Sequence, residues 1–501
     1  MTLSACEKLS EETYCIDLKT FLTDLSKHKM RKIKVTFNSV QYFIIILLST
    51  GLTSCGEKIN ITPPPITTEP PVSEIKLDYK VWINGIEATV YEARVQDPPW
   101  EKEEVNLDFG GNYSFASFEV DKSAEIKIES ESRSLTDVVL FPVKNSVSEL
   151  TKSDNSISFK IEKPMQLIIE PDGKKSPLLL FANPVEDYNP NLDDPDLIYY
   201  GPGLHHPAVI RLKSNQTLYI DEGAVVHAGV YIEGENITVR GPGIICGNDF
   251  VWGEYSRHLI EINKSSNVVV KDVVLRGSAA WTMIINRSKN ILVNNVKVVG
   301  GRAQNDDGMN PVNSKDVQIS NCFIRTDDDC IALKGFDTNF YNVERIAVEN
   351  CILWCDRARI FLLGHESRAA YMRDLTFRNI DIVHFSMTPF LLEPGEEMRL
   401  ENVVFEDIRL NGEGQNELIR LKPVINQYME TKVPGHINNI TFKNISVTGK
   451  PGPYKIQLMG ADEAHSVRNV NIENMNIFGR EVKEDYNNLE IGEYVHDIKF
   501  L

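Results

Sequence analysis

The chain is short of long hydrophobic runs, of paired cysteines and of positive charge, and each shortage removes a class of protein. Its N-terminal apolar stretch, Tyr42 to Leu48, falls well below the roughly 20 residues that a membrane-spanning helix needs. A permanent transmembrane segment is therefore not expected. None of the eight cysteines forms a C-x-x-C pair, and Cys6, Cys15 and Cys55 precede the folded part, which leaves Cys246, Cys322, Cys330, Cys351 and Cys355. An odd remainder without that spacing argues against both a disulfide framework and a zinc site. Acidic residues outnumber basic ones by 71 to 53, for a net charge of -18, so nucleic acid or an anionic membrane surface would be repelled. No metal and no cofactor is expected.

What is present begins with a targeting signal. Met30-Arg31-Lys32-Ile33-Lys34 is a basic n-region, Tyr42 to Leu48 the apolar h-region, and Leu52-Thr53-Ser54-Cys55 has the form of a bacterial lipobox. Cleavage before Cys55 would leave a lipidated first residue, and Met30 is the expected true start. The expected location is extracytoplasmic, anchored by lipid to a bacterial outer membrane, with contact to the membrane through that anchor alone. Residues 56–74, containing Pro63-Pro64-Pro65 and Pro70-Pro71, form an extended tether.

With 501 residues and 42% hydrophobic content, the chain needs two domains or one elongated core that grows by repetition. Over residues 75–190, segments such as Lys80 to Gly85, Ser114 to Val120 and Ile157 to Ile161 alternate apolar and polar residues, which predicts a β-sandwich. A packing or spacer role suits it best, with carbohydrate binding as the other possibility. From residue 191 onward the chain repeats itself. Val268 to Leu275, Ile291 to Val298, Val317 to Ile324, Ile346 to Leu353, Leu375 to Ile382, Val403 to Leu410, Ile440 to Val447 and Val470 to Ile477 are versions of one phrase, with a shorter copy at Ile237 to Arg240. Apolar residues hold the first, third, sixth and eighth places and Asn or Asp the fifth. One such phrase cannot bury its own apolar edge, so stacking must stabilise it. The prediction is an all-β chain: a right-handed parallel β-helix over 191–501 preceded by the sandwich, expected to be monomeric.

Two segments put acids where other coils carry neutral residues: Asn305-Asp306-Asp307-Gly308-Met309-Asn310, and Asp327-Asp328-Asp329-Cys330-Ile331-Ala332-Leu333-Lys334-Gly335. Asp307 and Asp328 are 21 residues apart, close to one coil, which predicts neighbouring rungs roughly 5 Å apart. Strict alternation would send Asp328 and Asp329 to opposite faces, so a local bend is required. Crowded carboxylates repel, and at least one must bind its proton more tightly. A glycosidase needs this asymmetry, since one carboxyl donates to the leaving oxygen while an ionised one activates water. Acidic turns in solenoids also cap strands or bind calcium.

Asn-x-Asp-Gly followed some 20 residues later by Asp-Asp-Cys-Ile-Ala-x-Lys resembles glycoside hydrolase family 28, the polygalacturonases. With Asn350-Cys351-Ile352-Leu353-Trp354 and Leu363-Gly364-His365-Glu366, the pair also resembles family 49, the dextranases and isopullulanases. The resemblance spans about residues 195–480 and implies the same sandwich-plus-helix architecture. It implies Asp328 as general acid, with Asp307 and Asp329 holding and deprotonating water, and hydrolysis with inversion of a polysaccharide or oligosaccharide. Polygalacturonases continue with Gly-His-Gly and Arg-Ile-Lys; here Gly364-His365-Glu366 and Arg420-Leu421-Lys422 stand in other places. That leaves a uronate and a neutral α-glucan both open. Asn305, Lys334, Arg357, Arg359 and His365 are the expected substrate contacts, with Arg357 registered beside Asp328 and Arg359 beside Cys330. The segments Gly300 to Gln304 and Gly412 to Lys432 are candidate rims. A polysaccharide lyase on the same fold and a non-catalytic glycan-binding lipoprotein are the competing readings.

Overall fold

The computed structural model describes residues 78–96, 112–143, 147–252, 258–338 and 340–501, together with two short strands nearer the N-terminus. Those two, Cys6–Leu9 and Glu12–Cys15, pair antiparallel and belong to a separate unit, Met1–Glu74. Cys55, the lipobox and the proline-rich tether lie outside the described residues. Among the described residues no helix is long and apolar enough to cross a membrane.

Residues 75–501 form one unit. Its first part is a sandwich of two five-stranded sheets. One contains Tyr79–Ile83, Ala124–Ser130 and Ser156–Ile161; the other contains Tyr113–Glu119, Leu178–Asn183 and Met165–Glu170. The second sheet is covered on both faces. Leu167, Ile169, Leu178 and Leu180 point into the sandwich, whereas Phe115, Ile168, Leu179 and Phe181 pack against Val299, Phe323, Trp354 and Val383 of the following domain. A strand buried on both sides reads as a continuous apolar run, and Leu178-Leu179-Leu180-Phe181 is one. A buried ion pair also crosses this joint: His384 Nε2 lies 2.6 Å from Glu170 Oε1, and Nδ1 meets Glu413. The sandwich is thus a buttress fixed to the helix by aromatic packing.

From Leu197 to Phe500 every coil pairs in parallel with the next, forming three faces. The first face holds Ser266–Lys271, Lys289–Asn294 and Lys315–Ser320; the second Val274–Arg276, Lys297–Val299 and Phe323–Thr326; the third Met283–Asn286, Met309–Val312, Ile331–Gly335, Phe361–Ser367 and Phe390–Glu393. The first, third, sixth and eighth places of the repeated phrase all enter one continuous core. Phe361, Phe377, Phe390, Phe405 and Phe442 fill its later coils in mutual contact.

The fifth place is the corner between the first two faces. Asp272, Asn295, Asn321, Asn350, Asn379, Asp407, Asn444 and Asn474 all adopt φ between 48° and 68°. Asn and Asp tolerate this left-handed region better than other non-glycine residues. Their side chains then bond from coil to coil: Asn295 Nδ2 donates to Asp272 Oδ1 at 2.7 Å, Asn444 to Asp407 at 2.8 Å and Asn474 to Asn444 at 2.8 Å. Asn444→Val, which forces a β-branched residue to φ 53° and removes two ladder bonds, is expected to cost on the order of 2–3 kcal/mol in urea unfolding. Asn444→Gly, which keeps the angle, should cost about half as much; equal losses would show that the backbone angle is unimportant.

Candidate active site

The acidic segments are the turns between the second and third faces on adjacent coils. Gly308 N donates to Asp329 O at 2.8 Å, and Cys330 N to Arg359 O at 2.9 Å. The strands beyond pair Met309 with Ile331 and Ile331 with Phe361. That register places Asp329, not Asp328, in the rung column of Asp307, and Arg359 beside Asp329 instead of Cys330. On the near side of the bend Thr326 pairs with Cys355 and Arg357 N donates to Asp327 O at 3.0 Å, so Arg357 stands opposite Asp328 as expected while its side chain turns to Asp327. The register shifts because residues 327–330 form a bend, not a strand. The bend also keeps Asp328 and Asp329 from facing opposite ways. Gly308 is required where it stands, since a Cβ there would lie 2.5 Å from both Cys330 O and Ile324 Cγ2.

Asp306 organises the bend. Its carboxylate accepts from Gly301 N at 2.6 Å, Asp327 N at 2.7 Å and Asp328 N at 3.2 Å, so one buried side chain holds the backbone of the next coil. Asp329 Oδ1 repeats the device one coil later, accepting from Arg359 N at 3.0 Å. Asp328 is placed by Asn305 Nδ2 at 3.2 Å and by Asp329 N at 2.9 Å. Asp307 accepts from Asn310 Nδ2 at 2.8 Å and meets Lys334 Nζ at 3.4 Å. Asp307 and Asp329 are only 2% and 4% exposed, whereas Asp328 is partly open. Burial raises the pKa of Asp307, opposed by Lys334. Burial, then the adjacent Asp328 charge, pushes Asp329 up to about 6.

The other expected contacts sort by distance. Lys334 lies within the acid cluster, bridging Asp307 and Glu366 (2.9 Å) under the ring of Trp281, whose centroid is 3.9 Å from Nζ. Arg359 Nη1 lies 4.0 Å from Asp329, and Arg357 Nε 3.2 Å from the buried Asp327. His365 belongs to the next stretch of wall: its Nδ1 lies 3.0 Å from Glu393, and its ring packs on Tyr428. Tyr428 comes from the segment after Leu421. The expected Gly412 to Lys432 rim is therefore narrower, because Gly412 and Glu413 end one strand and Glu417–Leu421 form another. On the opposite side Trp281 stacks between His258 and Phe336, giving an aromatic wall that the repeat pattern did not single out. Behind the acids, Arg325 is fully buried, paired with Asp356 at 3.2 Å and sandwiched between Tyr113 and Trp354. Tyr113 comes from the sandwich and also donates to Gly300 O at 2.6 Å, so the buttress reaches the turn that carries Asp306 and Asp307.

The family model for Glycosyl hydrolases family 28 matches residues 204–352, the segment that contains all three acids. Over 84% of this chain the solved structure of Dex49A from Penicillium minioluteum superposes with a TM-score of 0.61 at 16% identity, covering 94% of that protein. The fold is thus that of a parallel β-helix, and residues 204–352 are similar to family 28. A probable polygalacturonase of Vitis vinifera is 34% identical over 113 residues, 22% of this chain and 23% of that one. A probable exopolygalacturonase B of Neosartorya fischeri is 25% identical over 240 residues, 44% and 45% of the two chains. The chain thus spans less than half the length of these curated relatives.

A carboxyl whose pKa is raised in the folded state stabilises the fold below its unfolded value near 3.8 and loses that contribution as pH rises through about 6. Asp329→Asn keeps the acceptor for Arg359 N and removes the charge. The variant is expected to unfold at higher temperature than wild type at pH 8, by the equivalent of on the order of 2–3 kcal/mol, with the gap closing at pH 4. A constant gap across that range would contradict the buried-charge account.

Proposed function

We propose that this protein is a glycoside hydrolase acting with inversion on an α-linked polysaccharide or oligosaccharide. The observation that carries the reading is the acid cluster itself: one partly open carboxyl and two buried ones, brought together from adjacent coils and fixed by hydrogen bonds from backbone and side-chain N–H groups. Support comes from the family model over residues 204–352 and from the polygalacturonase relatives. In the proposed mechanism Asp328, the accessible member, gives its proton to the glycosidic oxygen as the C–O bond breaks. Asp307 and Asp329 orient a water whose oxygen forms the new bond at the anomeric carbon, and its proton passes to them.

A neutral glucan suits the groove better than a uronate. The cations along it are already matched: Lys334 by Asp307 and Glu366, Arg357 by Asp327, Arg359 by Asp329, and Arg420 by Glu393 and Glu417. A substrate carboxylate would compete with these pairs. The aromatic wall of Trp281 and Phe336 offers apolar surface for sugar rings instead. The lipid anchor at Cys55, an extracytoplasmic location and a monomeric state complete the proposal.

A reducing-end assay against dextran, pullulan and polygalacturonate should show turnover on a neutral α-glucan, with activity rising through about pH 6 as Asp329 ionises and becomes able to accept the proton of the attacking water. Asp328→Asn is expected to lower kcat by at least about 10³-fold while glycan binding changes little. Proton NMR of the first product should show the inverted anomer. Ultraviolet-absorbing unsaturated products would establish a lyase instead, and unchanged turnover in the variant would remove Asp328 from the chemistry.

A further inference from the structure

Away from the acid groove, Glu397, His436 and His465 meet on three successive coils, where the third face turns back to the first. Their ligand atoms all lie within 4.8 Å of one another. His436 Nε2 is 3.1 Å from Glu397 Oε2, and His465 Nε2 is 3.5 Å from Glu397 Oε1. Ligands 2.0–2.1 Å from a tetrahedral zinc are separated by about 3.3–3.4 Å, so these spacings suit one ion.

The hydrogen bonds behind the rings fix which nitrogens face inward. His436 Nδ1 lies 3.0 Å from the carbonyl of Ala464, which can only accept, so Nδ1 carries the proton. His465 Nδ1 lies 2.8 Å from both oxygens of Asp462, and that carboxylate also accepts from the His465 backbone N–H at 2.9 Å. With both Nδ1 atoms held from behind, the two Nε2 atoms and the Glu397 carboxylate converge on one point. The backing of imidazole by carboxylate and carbonyl is the usual support of a metal-ligating histidine. The carboxylate is held there at a cost. Glu396 and Glu397 are consecutive non-glycine residues at φ 52° and 63°, a strained pair fixed by backbone bonds from their N–H groups to Val433 O and Pro434 O at 2.7 and 3.0 Å.

We propose that Glu397, His436 and His465 bind a divalent transition metal of the Zn²⁺ class, with a fourth position left to water. Imidazole and carboxylate together suit Zn²⁺ rather than Ca²⁺ or Mg²⁺. The ion joins the turn at 394–398 to the end of the 422–435 segment, whose Tyr428 and Asn426 pack on His365, and so pins one wall of the groove. It takes no part in glycoside cleavage. The expectation of no metal drawn from cysteine spacing did not test for such a site, since its ligands are not cysteines and Glu397 and His436 are 39 residues apart.

The test is zinc content by mass spectrometry on the full-length chain, stripped with chelator and re-equilibrated with ZnSO₄ at pH 7.5, alongside thermal unfolding with and without zinc. Wild type should hold one more equivalent of zinc than His465→Gln or Glu397→Gln, and zinc should raise its unfolding temperature by several degrees but leave theirs unmoved. His206→Ala, which alters the separate His206, His227 and Asp249 group, should keep that equivalent. If all four proteins bind the same amount of zinc, or if none is stabilised by it, the proposal fails. Because the readouts are metal content and stability, they are independent of whether the acid cluster hydrolyses glycans.

Discussion

Each coil of this protein exposes an apolar edge that only the next coil can cover, and the left-handed Asn or Asp corner decides how the two are aligned. The burial supplies most of the energy, but it is indifferent to small slips. The corner is not. At several corners a side chain held at φ near 55° bonds to its counterpart on the neighbouring coil, which helps to lock those coils rung to rung. Residues far apart in sequence can then be placed with the precision that acid–base chemistry needs.

The acid cluster draws on that precision and works against the fold locally. Asp306, Asp307, Asp327 and Asp329 are nearly or wholly buried, and burial of ionised carboxylates is unfavourable unless they are neutralised or hydrogen-bonded. The chain answers in two ways. Asp306 and Asp329 receive backbone N–H groups from the following coil, and Lys334 and Arg359 supply positive charge. The sandwich contributes from behind, where Tyr113, Arg325, Trp354 and Asp356 form a packed and paired wedge under the acidic turns. The sandwich thereby braces the acidic turns from behind. This is a stability–function trade of the kind expected at active centres.

Much of this was legible in the residues. The eight-place phrase identified the inward positions of every coil, because a period of two interrupted by one left-handed corner leaves no other solution. Asp307, Asp328 and Asp329 stood out because acids replaced neutral residues in it. What could not be read was the register across a bend. Arg359 falls beside Asp329 instead of Cys330 because the register shifts by one residue within the bend, and the pairing of Asp307 with Asp329 is hidden for the same reason. Asp306 looked like one more acid, and only its three N–H partners mark it as a brace. Trp281 and Glu366 acquire meaning only through Lys334, which lies between them. The His436 and His465 pair is illegible in one dimension, since neither neighbours the other or Glu397 along the chain.

The separation of labour between corner and loop has an evolutionary corollary. Alignment is carried by single residues at the corners, so the connections between faces are free to change length without moving the stack. The 422–435 segment is such a graft: it leaves the strand at Leu421 and rejoins at His436, and the coils on either side stay in step. A lineage could lengthen, shorten or exchange the walls of this groove while inheriting an unaltered acid cluster.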